Sequence, residues 1–345
     1  MDVSIIFVNW NSADFLRECL ASIYDNTSGV PFEVIVVDNA SFDGAEEMLR
    51  KEFPRSRYIQ SDANLGFARA NNLGAKNASG EFLLFLNPDT LVLDNAITKM
   101  AACLRRVPHA GALGCRILNR DHTIQTSAVQ SFPTVLNQML DADLLRNQFP
   151  HSTLWGMAAL YQESDATSSV DMVSGACLMI KAEVFRQIGG FSEEYFMYGE
   201  DIDLCRKVHE AGRQIFHVPT AKVIHFGGQS TKRKRQNSFS TLLFQESMTI
   251  YFRKFRGKRY AALYKISRVV AAILRLALLH CMLLFSRSEK ERSQHHVAVS
   301  KWWTILRWSL GLIRADGFGG SSSLTSGAMF PENMSSSSES SKSLV

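Results

Sequence analysis

Three acidic turns and one histidine are spaced so that they could do chemistry. VVDNASFDG (36–44), LNPDT (86–90) and GEDIDLCRK (199–207) each end a hydrophobic run, and His225 follows a late apolar stretch. A carboxylate just past a buried strand is held rigidly at a sheet edge, where α/β proteins bind nucleotides. Asp38 there could accept a hydrogen bond from a nucleobase imide N–H; as a plain turn residue it would satisfy local backbone N–H groups. Pro88 stiffens its turn and sends Asp89 off the sheet in a fixed direction. A departing diphosphate needs a cation, and Mg2+ or Mn2+ takes one or two carboxylates plus phosphate oxygens. The competing reading of LNPDT is a β-turn before a capped helix.

GEDIDLCRK puts Glu200, Asp201 and Asp203 within four residues of a helix start. Acidic residues favour that end of the helix dipole. They could equally supply a general base that deprotonates an acceptor hydroxyl, with Arg206 pairing one carboxylate and keeping it ionised. A lone strand-end histidine such as His225 is ordinarily structural, and gains a role only if it folds back beside Asp89. NLGFARANN (64–72) supplies Asn64, Gly66, Arg69, Asn71 and Asn72 at a helix entry. Gly66 could admit a ligand close to the backbone and Arg69 could meet phosphate; an Asn-capped helix is the structural alternative. KRKR (232–235) could touch phosphate or anionic lipid, or be a solvated basic loop.

The elements that must position these residues alternate in type. Strands are expected over 3–10, 32–37, 56–60, 81–87 and 170–182, and again in QIFHVP and AKVIHF. Helices are expected after Asn11 or Ser12, over 45–53 and 66–78, after Asp94 as cap, over 183–191 closed by Gly189–Gly190, and over 201–211. The pattern is weak from 116 to 170, where a long irregular connection is expected. Such alternation predicts an α/β fold with parallel strands at the centre of the sheet and ligands at the strand ends.

The 345 residues are 46% hydrophobic and include six widely spaced cysteines without a C-x-x-C pair, which points to reduced thiols in a cytosolic setting. The chain starts directly in VSIIFVNW, expected to be a first strand rather than a signal peptide. The overall charge of +5 conceals −8 over residues 1–231 and +15 over 232–314. A basic segment on an acidic body suggests contact with an anionic surface. Residues 238–256 and 261–285 read as helices. In the second, Lys265, Arg268 and Arg275 fall within about 80° on a helical wheel. Its longest uncharged run, 276–285, is too short to span a bilayer, so an amphipathic helix in the interface is expected. Trp302, Trp303 and Trp308 beside Lys301, Arg307 and Arg314 suit a headgroup region. The Ser-rich tail is expected to be disordered.

Taken together, VNWN (8–11), VVDNASFDG, NLGFARANN, LNPDT, SGACLMIKAEVFRQIGGF (174–191), YGEDIDLCRK and the His225 strand resemble inverting family 2 glycosyltransferases, in their bacterial rhamnosyltransferase-like branch. The resemblance implies a GT-A fold, Rossmann-like with a mostly parallel central sheet flanked by helices. With the shifts in charge and composition, a catalytic domain is expected over 1–231, a basic amphipathic helical extension that associates with membrane over 232–314, and a tail over 315–345; the resemblance itself covers about residues 2–231. It implies that Asp38 binds the donor's pyrimidine, with Asn9 and Asn39 beside the nucleotide and Asn64, Gly66, Arg69 and Asn71 completing the donor site. Asp89 matches the second acidic residue of a D-x-D metal motif whose first position is Asn87 here. Asp89 and His225 would hold Mg2+ or Mn2+, Asp201 would be the catalytic base, and Glu200 is its nearest rival.

The implied activity moves a sugar, L-rhamnose from dTDP-rhamnose, with inversion to a hydroxyl of a polyprenyl-diphosphate-linked saccharide. The expected location is the cytoplasm, peripherally on the inner face of the cell membrane, with no nucleic acid partner. Other UDP- or dTDP-sugars remain open as donors. A nucleotidyltransferase is disfavoured because VNWNSADFLREC lacks a Gly-rich phosphate loop. Asn87 lends some support to a non-catalytic membrane protein on the same fold; Asp89, Asp201 and His225 oppose it.

Overall fold

The computed structural model describes residues 1–141, 143–162, 164–227, 234–286 and 288–315. The first half of KRKR, Gly228, the side chains of its second half and the tail from 316 lie outside the described residues. The first half alternates β1 (Val3–Asn9), α1 (Ala13–Asn26), β2 (Phe32–Asp38), α2 (Ala45–Glu52), β3 (Arg57–Gln60), α3 (Gly66–Lys76) and β4 (Phe82–Leu86). Then come β5 (Thr90–Leu93), α4 (Ala96–Arg106) and β6 (Ala110–Leu118). The weakly patterned stretch consists of short pieces: β7 (Val129–Gln130), α5 (Val135–Leu140), α6 (Asp143–Gln148), β8 (Ser168–Val170) and β9 (Met172–Val173). The body ends with β10 (Cys177–Lys181), α7 (Ala182–Gln187), α8 (Glu200–Glu210) and β11 (Gln214–His225). Three long helices follow, α9 (Lys234–Arg256), α10 (Lys258–Phe285) and α11 (Glu289–Ser309).

The main sheet has the order β3-β2-β1-β4-β10-β6-β11-β5, with β8 also paired to β11. Strands β1 to β4 are mutually parallel where they pair, and the apolar runs of β1, β2 and β4 fit strands covered on both faces, while β3 is the partly exposed edge. Strand β10 is antiparallel to both β4 and β6, so those two run the same way, and β11 is parallel to β6. The C-terminal ends of β1, β2, β4 and β11 therefore share one edge. That edge also receives the start of β10, which runs the opposite way.

Two helix caps differ from expectation. Neither Ser12 nor Asn11 caps α1 through its side chain. Asp43 does so from the next loop, its Oδ2 accepting from the N–H groups of Ser12 (2.8 Å) and Ala13 (2.9 Å). Asp94 does not cap α4, which starts after Asn95. The residues between the 86–90 turn and that helix form β5 instead, because they pair antiparallel with the end of β11. QIFHVP and AKVIHF form a single strand with an irregularity between Val218 and Lys222.

The C-terminal helices pack onto the body: Leu242, Met248, Tyr251, Phe252, Tyr264 and Trp308 belong to the main core. Helix α10 is turned the opposite way from an interfacial helix with its cations in the headgroups. Arg268 donates to the Gln138 carbonyl, and Arg275 donates to the Met139 carbonyl at 3.1 Å. Both guanidinium groups stack on Trp302, at 5.0 and 4.5 Å, and Lys265 lies over Trp308 at 5.4 Å. Trp302 and Trp308 are accordingly buried, and of the three tryptophans Trp303 alone is exposed. With the two arginines turned inward, the apolar residues Leu263, Ile266, Val270, Ile273, Leu274 and Leu278 face outward. Among the described residues α10 is the one helix long and apolar enough to cross a membrane by length and composition.

Candidate functional site

The shared sheet edge gathers the expected residues. Asn9 and Asp38 are direct partners across β1 and β2. Asp38 is fully buried. Its Oδ1 accepts from the Ser41 N–H (2.7 Å) and hydroxyl (2.9 Å), and the Asn9 amide lies 3.3 Å from Oδ2. The same Asn9 amide reaches Asp43 Oδ1 at 3.0 Å. Asp38, Asn9, Ser41 and Asp43 thus form one polar floor beneath the ends of β1 and β2.

Beside it, Asn39 and Asn64 clip two loops together. Asn39 Nδ2 donates to Asn64 Oδ1 at 2.8 Å, and the Leu65 N–H returns a bond to Asn39 Oδ1 at 2.8 Å. The close approach that Gly66 permits is to protein and not to open cleft: a Cβ there would stand 2.4 Å from the Phe196 carbonyl oxygen, and its φ is +76°. That carbonyl also accepts from the Phe67 N–H at 2.8 Å, which fastens the 192–199 loop to α3. Asn71 is buried, its amide spent on the Phe67 carbonyl one turn back. Arg69 is half exposed, with Glu193 at 3.6 Å.

The second cluster forms because β5 returns along β11, pairing Thr90 with His225. Asp89 Oδ1 then lies 3.3 Å from His225 Nε2, and Asn87 Nδ2 lies 3.3 Å from the same nitrogen. Thr90 braces the turn, its hydroxyl donating to the Asn87 carbonyl at 2.7 Å. Sequence reasoning missed Gln125. Its Oε1 accepts from His225 Nδ1 at 2.8 Å, while its Nε2 donates to Asn119 Oδ1 at 3.1 Å. An amide oxygen can only accept, so Nδ1 carries a proton; in the neutral ring Nε2 is then an acceptor, able to take the Asn87 amide N–H or a cation. Nothing in the sequence marks Gln125: it sits in the weakly patterned stretch, 100 residues from His225.

A carboxylate and an amide on the 86–90 turn, with the imidazole that ends β11 beside them, suit a divalent cation that draws its remaining ligands from phosphate and water. Among the described residues no group of three or more His, Cys, Asp or Glu side chains forms a complete cage. The donor set therefore fits a metal shared with a phosphorylated ligand.

The third cluster lies on the first turn of α8. Ser174–Gly175–Ala176 leads into β10 at the same edge, and the Gly175 N–H donates to Asp201 Oδ2 at 3.0 Å. The Ile202 N–H donates to Oδ1 at 2.8 Å. Burial raises the pKa of Asp201 and these two bonds oppose the rise. Glu200 is 7% exposed and its Oε2 has no partner among the described residues. Burial, then the neighbouring Asp201 charge, push it up to about 8. At neutral pH Glu200 is protonated, leaving Asp201 as the better base of the two.

Arg206 does not pair with Asp201. It pairs with Glu210 one turn on, at 3.2 Å, and lies over Phe132. Asp203 points away from Asp201 chemistry as well: it is fully buried and takes Lys254 of α9 at 2.6 Å and the Ser192 hydroxyl at 2.6 Å.

Comparison with known proteins places this geometry. Residues 4–189 match the family model "Glycosyl transferase family 2", and residues 156–228 match "N-terminal domain of galactosyltransferase". An N-acetylglucosaminyl-diphospho-decaprenol L-rhamnosyltransferase of Mycobacterium tuberculosis is 31% identical over 241 residues, 66% of this chain and 77% of that one. Rhamnosyltransferase WbbL of Escherichia coli is 25% identical over 271 residues, 74% of this chain and 94% of that one. A solved mannosyltransferase from Pyrobaculum calidifontis, in complex with GDP-Man and Mn2+, superposes with a TM-score of 0.52 at 17% identity, covering 89% of this chain and 86% of that one. The fold is of the GT-A kind, and with half the chain inside the family model the protein belongs to glycosyl transferase family 2.

Proposed function

We propose that this glycosyltransferase moves L-rhamnose from dTDP-rhamnose, with inversion, to a hydroxyl of a polyprenyl-diphosphate-linked saccharide at the inner face of the cell membrane. The observation that carries the reading is Asp201, a carboxylate fixed by two backbone N–H groups at the sheet edge that also holds Asp38 and the Asp89–His225 pair. The donor and acceptor classes follow the rhamnosyltransferase relatives and, for the lipid diphosphate, the name of the mycobacterial one.

In this mechanism the floor around Asp38 and Asn9 takes the nucleobase edge, with Ser41 yielding its hydrogen bond to the incoming N–H. Asn39 and Asn64 hold the loop that covers the nucleotide, and Arg69 faces its phosphates. Asp89 and His225, with Asn87, would hold Mg2+ or Mn2+, which when bound supplies positive charge beside the departing diphosphate. Asp201 accepts the acceptor's proton while that hydroxyl attacks the anomeric carbon from the face opposite the nucleotide. The C–O bond to the diphosphate breaks as the new one forms, and a single displacement inverts the centre. The apolar face of α10 lies against the bilayer, where the acceptor's lipid is.

The test uses the full chain with dTDP-rhamnose and a diphosphate-linked N-acetylglucosaminyl lipid. Asp201→Asn is expected to lower kcat about 10²- to 10⁴-fold, the range for a lost general base, with nucleotide affinity unchanged. Wild-type transfer falls on the acid side, at a pH above the ordinary aspartate range, because burial raises the Asp201 pKa. A product that keeps the donor's anomeric configuration, or an Asp201→Asn enzyme at the wild-type rate, would refute the mechanism. A second reading, a non-catalytic protein on this fold, draws on Asn87 in place of a carboxylate; it predicts nucleotide binding without transfer to any acceptor.

A further inference from the structure

A cleft of mixed polar and apolar lining, outside the sheet-edge site, separates the first half of α9 from α11 and reaches the turn before α8. Its volume is about 870 Å³, within the range of small-molecule sites. From Ser293 to Lys301 along α11, and back to Glu289, it follows that helix for about 18 Å at 1.5 Å per residue. That length accommodates a diphosphate and an attached sugar.

The lining has the chemistry of an anion site. Arg292 and Lys301 enter it from α11, and the hydroxyls of Ser238, Ser240 and Ser300 supply neutral donors. Neither cation is ion-paired among the described residues. Glu289 is the single carboxylate in the wall. Two unpaired cations and several hydroxyls in a concave surface match a phosphate or diphosphate better than a neutral glycan.

The surroundings narrow the ligand further. Tyr198 forms part of the wall and stands three residues before Asp201; its φ of +68° and the +81° of Gly199 turn the chain sharply into α8. The cleft is thus joined to the turn that carries the proposed base. Glu289 and Arg292 sit on the first turn of α11, just after Leu284 and Phe285, which are 82% and 81% exposed at the tip of the apolar α10 face. An anion site lying between a base and an apolar surface suits a molecule that is sugar at one end, diphosphate in the middle and hydrocarbon at the other.

We propose that this cleft binds the diphosphate of the lipid-linked acceptor. The sugar then reaches toward Asp201 past Tyr198, and the lipid leaves along the exposed face of α10. The inference rests on the acceptor class proposed above and adds where, and by which side chains, that acceptor is held.

The test measures binding and not turnover. The full chain, saturated with dTDP in EDTA so that the donor site is filled and metal-free, is titrated with farnesyl diphosphate and, separately, with inorganic diphosphate. Wild type is expected to bind farnesyl diphosphate at least tenfold more tightly than inorganic diphosphate. Arg292→Glu combined with Lys301→Glu is expected to weaken farnesyl diphosphate at least tenfold and leave dTDP affinity unchanged. Both residues are exposed, and an acidic residue on the first turn of α11 suits the helix dipole, so the double variant is expected to fold. Equal affinity in wild type and variant, or equal affinity for the two diphosphates, would overturn the proposal. Failure of sugar transfer in the earlier assay would leave this binding result intact, so the two readings fail separately.

Discussion

Glu200 shows how much one buried side chain can shift. Its carboxyl is ordinarily half-ionised at 4.5 and is pushed up to about 8 in the folded protein. Folding therefore favours the protonated form. The stability this group contributes is complete below about pH 4.5 and declines as pH rises from there to about 8. Glutamine mimics the protonated state, so Glu200→Gln should gain on wild type across that window, on the order of 3 kcal/mol by pH 7. Urea unfolding at pH 5 and pH 8 measures it; parallel pH dependences in the two proteins would contradict the assignment. Gln125 acts at the same scale on the other carboxylate cluster. By holding Nδ1–H of His225 it turns Nε2 toward the 86–90 turn, where Asp89 and Asn87 lie. Gln125→Ala is expected to weaken Mn2+ binding in the presence of nucleotide about 10- to 100-fold, as loss of such a partner does at other metal-binding histidines. Electron paramagnetic resonance of free Mn2+ reads this directly, and an unchanged affinity would show that the ring is held by other means.

At the scale of elements, the first turn of α8 faces two ways. Asp201 looks to the sheet edge, whereas Asp203, two residues on, is buried against α9 and bound by Lys254. The C-terminal helices therefore brace the helix that carries the proposed base. Ser247 adds to this by donating to the Met197 carbonyl in the preceding loop. Lys254→Met would leave Asp203 buried with Lys207 at 3.8 Å as its remaining charge partner. The expected cost is roughly 2–4 kcal/mol, toward the lower end because Lys254 is partly exposed. Adding Asp203→Asn should recover much of it, and a double-mutant cycle in chemical denaturation measures the coupling. Additive losses would mean that the two side chains do not act as a pair.

For the whole molecule, the orientation of α10 decides which face the proposed membrane contact would use. Arg268 and Arg275 are used internally, on Trp302 and two carbonyls of α5, and Lys265 lies over Trp308, so the outward stripe is apolar. Removing everything after Arg256 would strip Tyr264 and Trp308 from the core, so point changes give the cleaner experiment. Replacing Ile273, Leu274 and Leu278 by Gln takes three exposed apolar side chains off the surface without touching that core. Sedimentation with vesicles containing anionic lipid should then fall at least tenfold relative to wild type, with the unfolding midpoint unchanged. Equal sedimentation would rule this face out as the membrane contact.

Local pattern sufficed for much of this protein. Unbroken apolar runs and strand-end carboxylates identify an α/β sheet with Asp38, Asp89 and Asp201 at its loops, because burial on both faces and turn chemistry are written in neighbouring residues. The family resemblance rests on the same short motifs. Other features were set by contacts between distant segments. Strand β5 exists because β11 returns beside it, and that pairing brings His225 to Asp89. Asp43, and not Ser12, caps α1 from another loop. Gln125 finds His225 from 100 residues away. The helical wheel of 261–285 separates a charged side from an apolar one, but which side faces inward depends on the tryptophans of α11 and the carbonyls beside α5. Periodicity along a chain records that a residue has a partner face; only the tertiary fold chooses the partner.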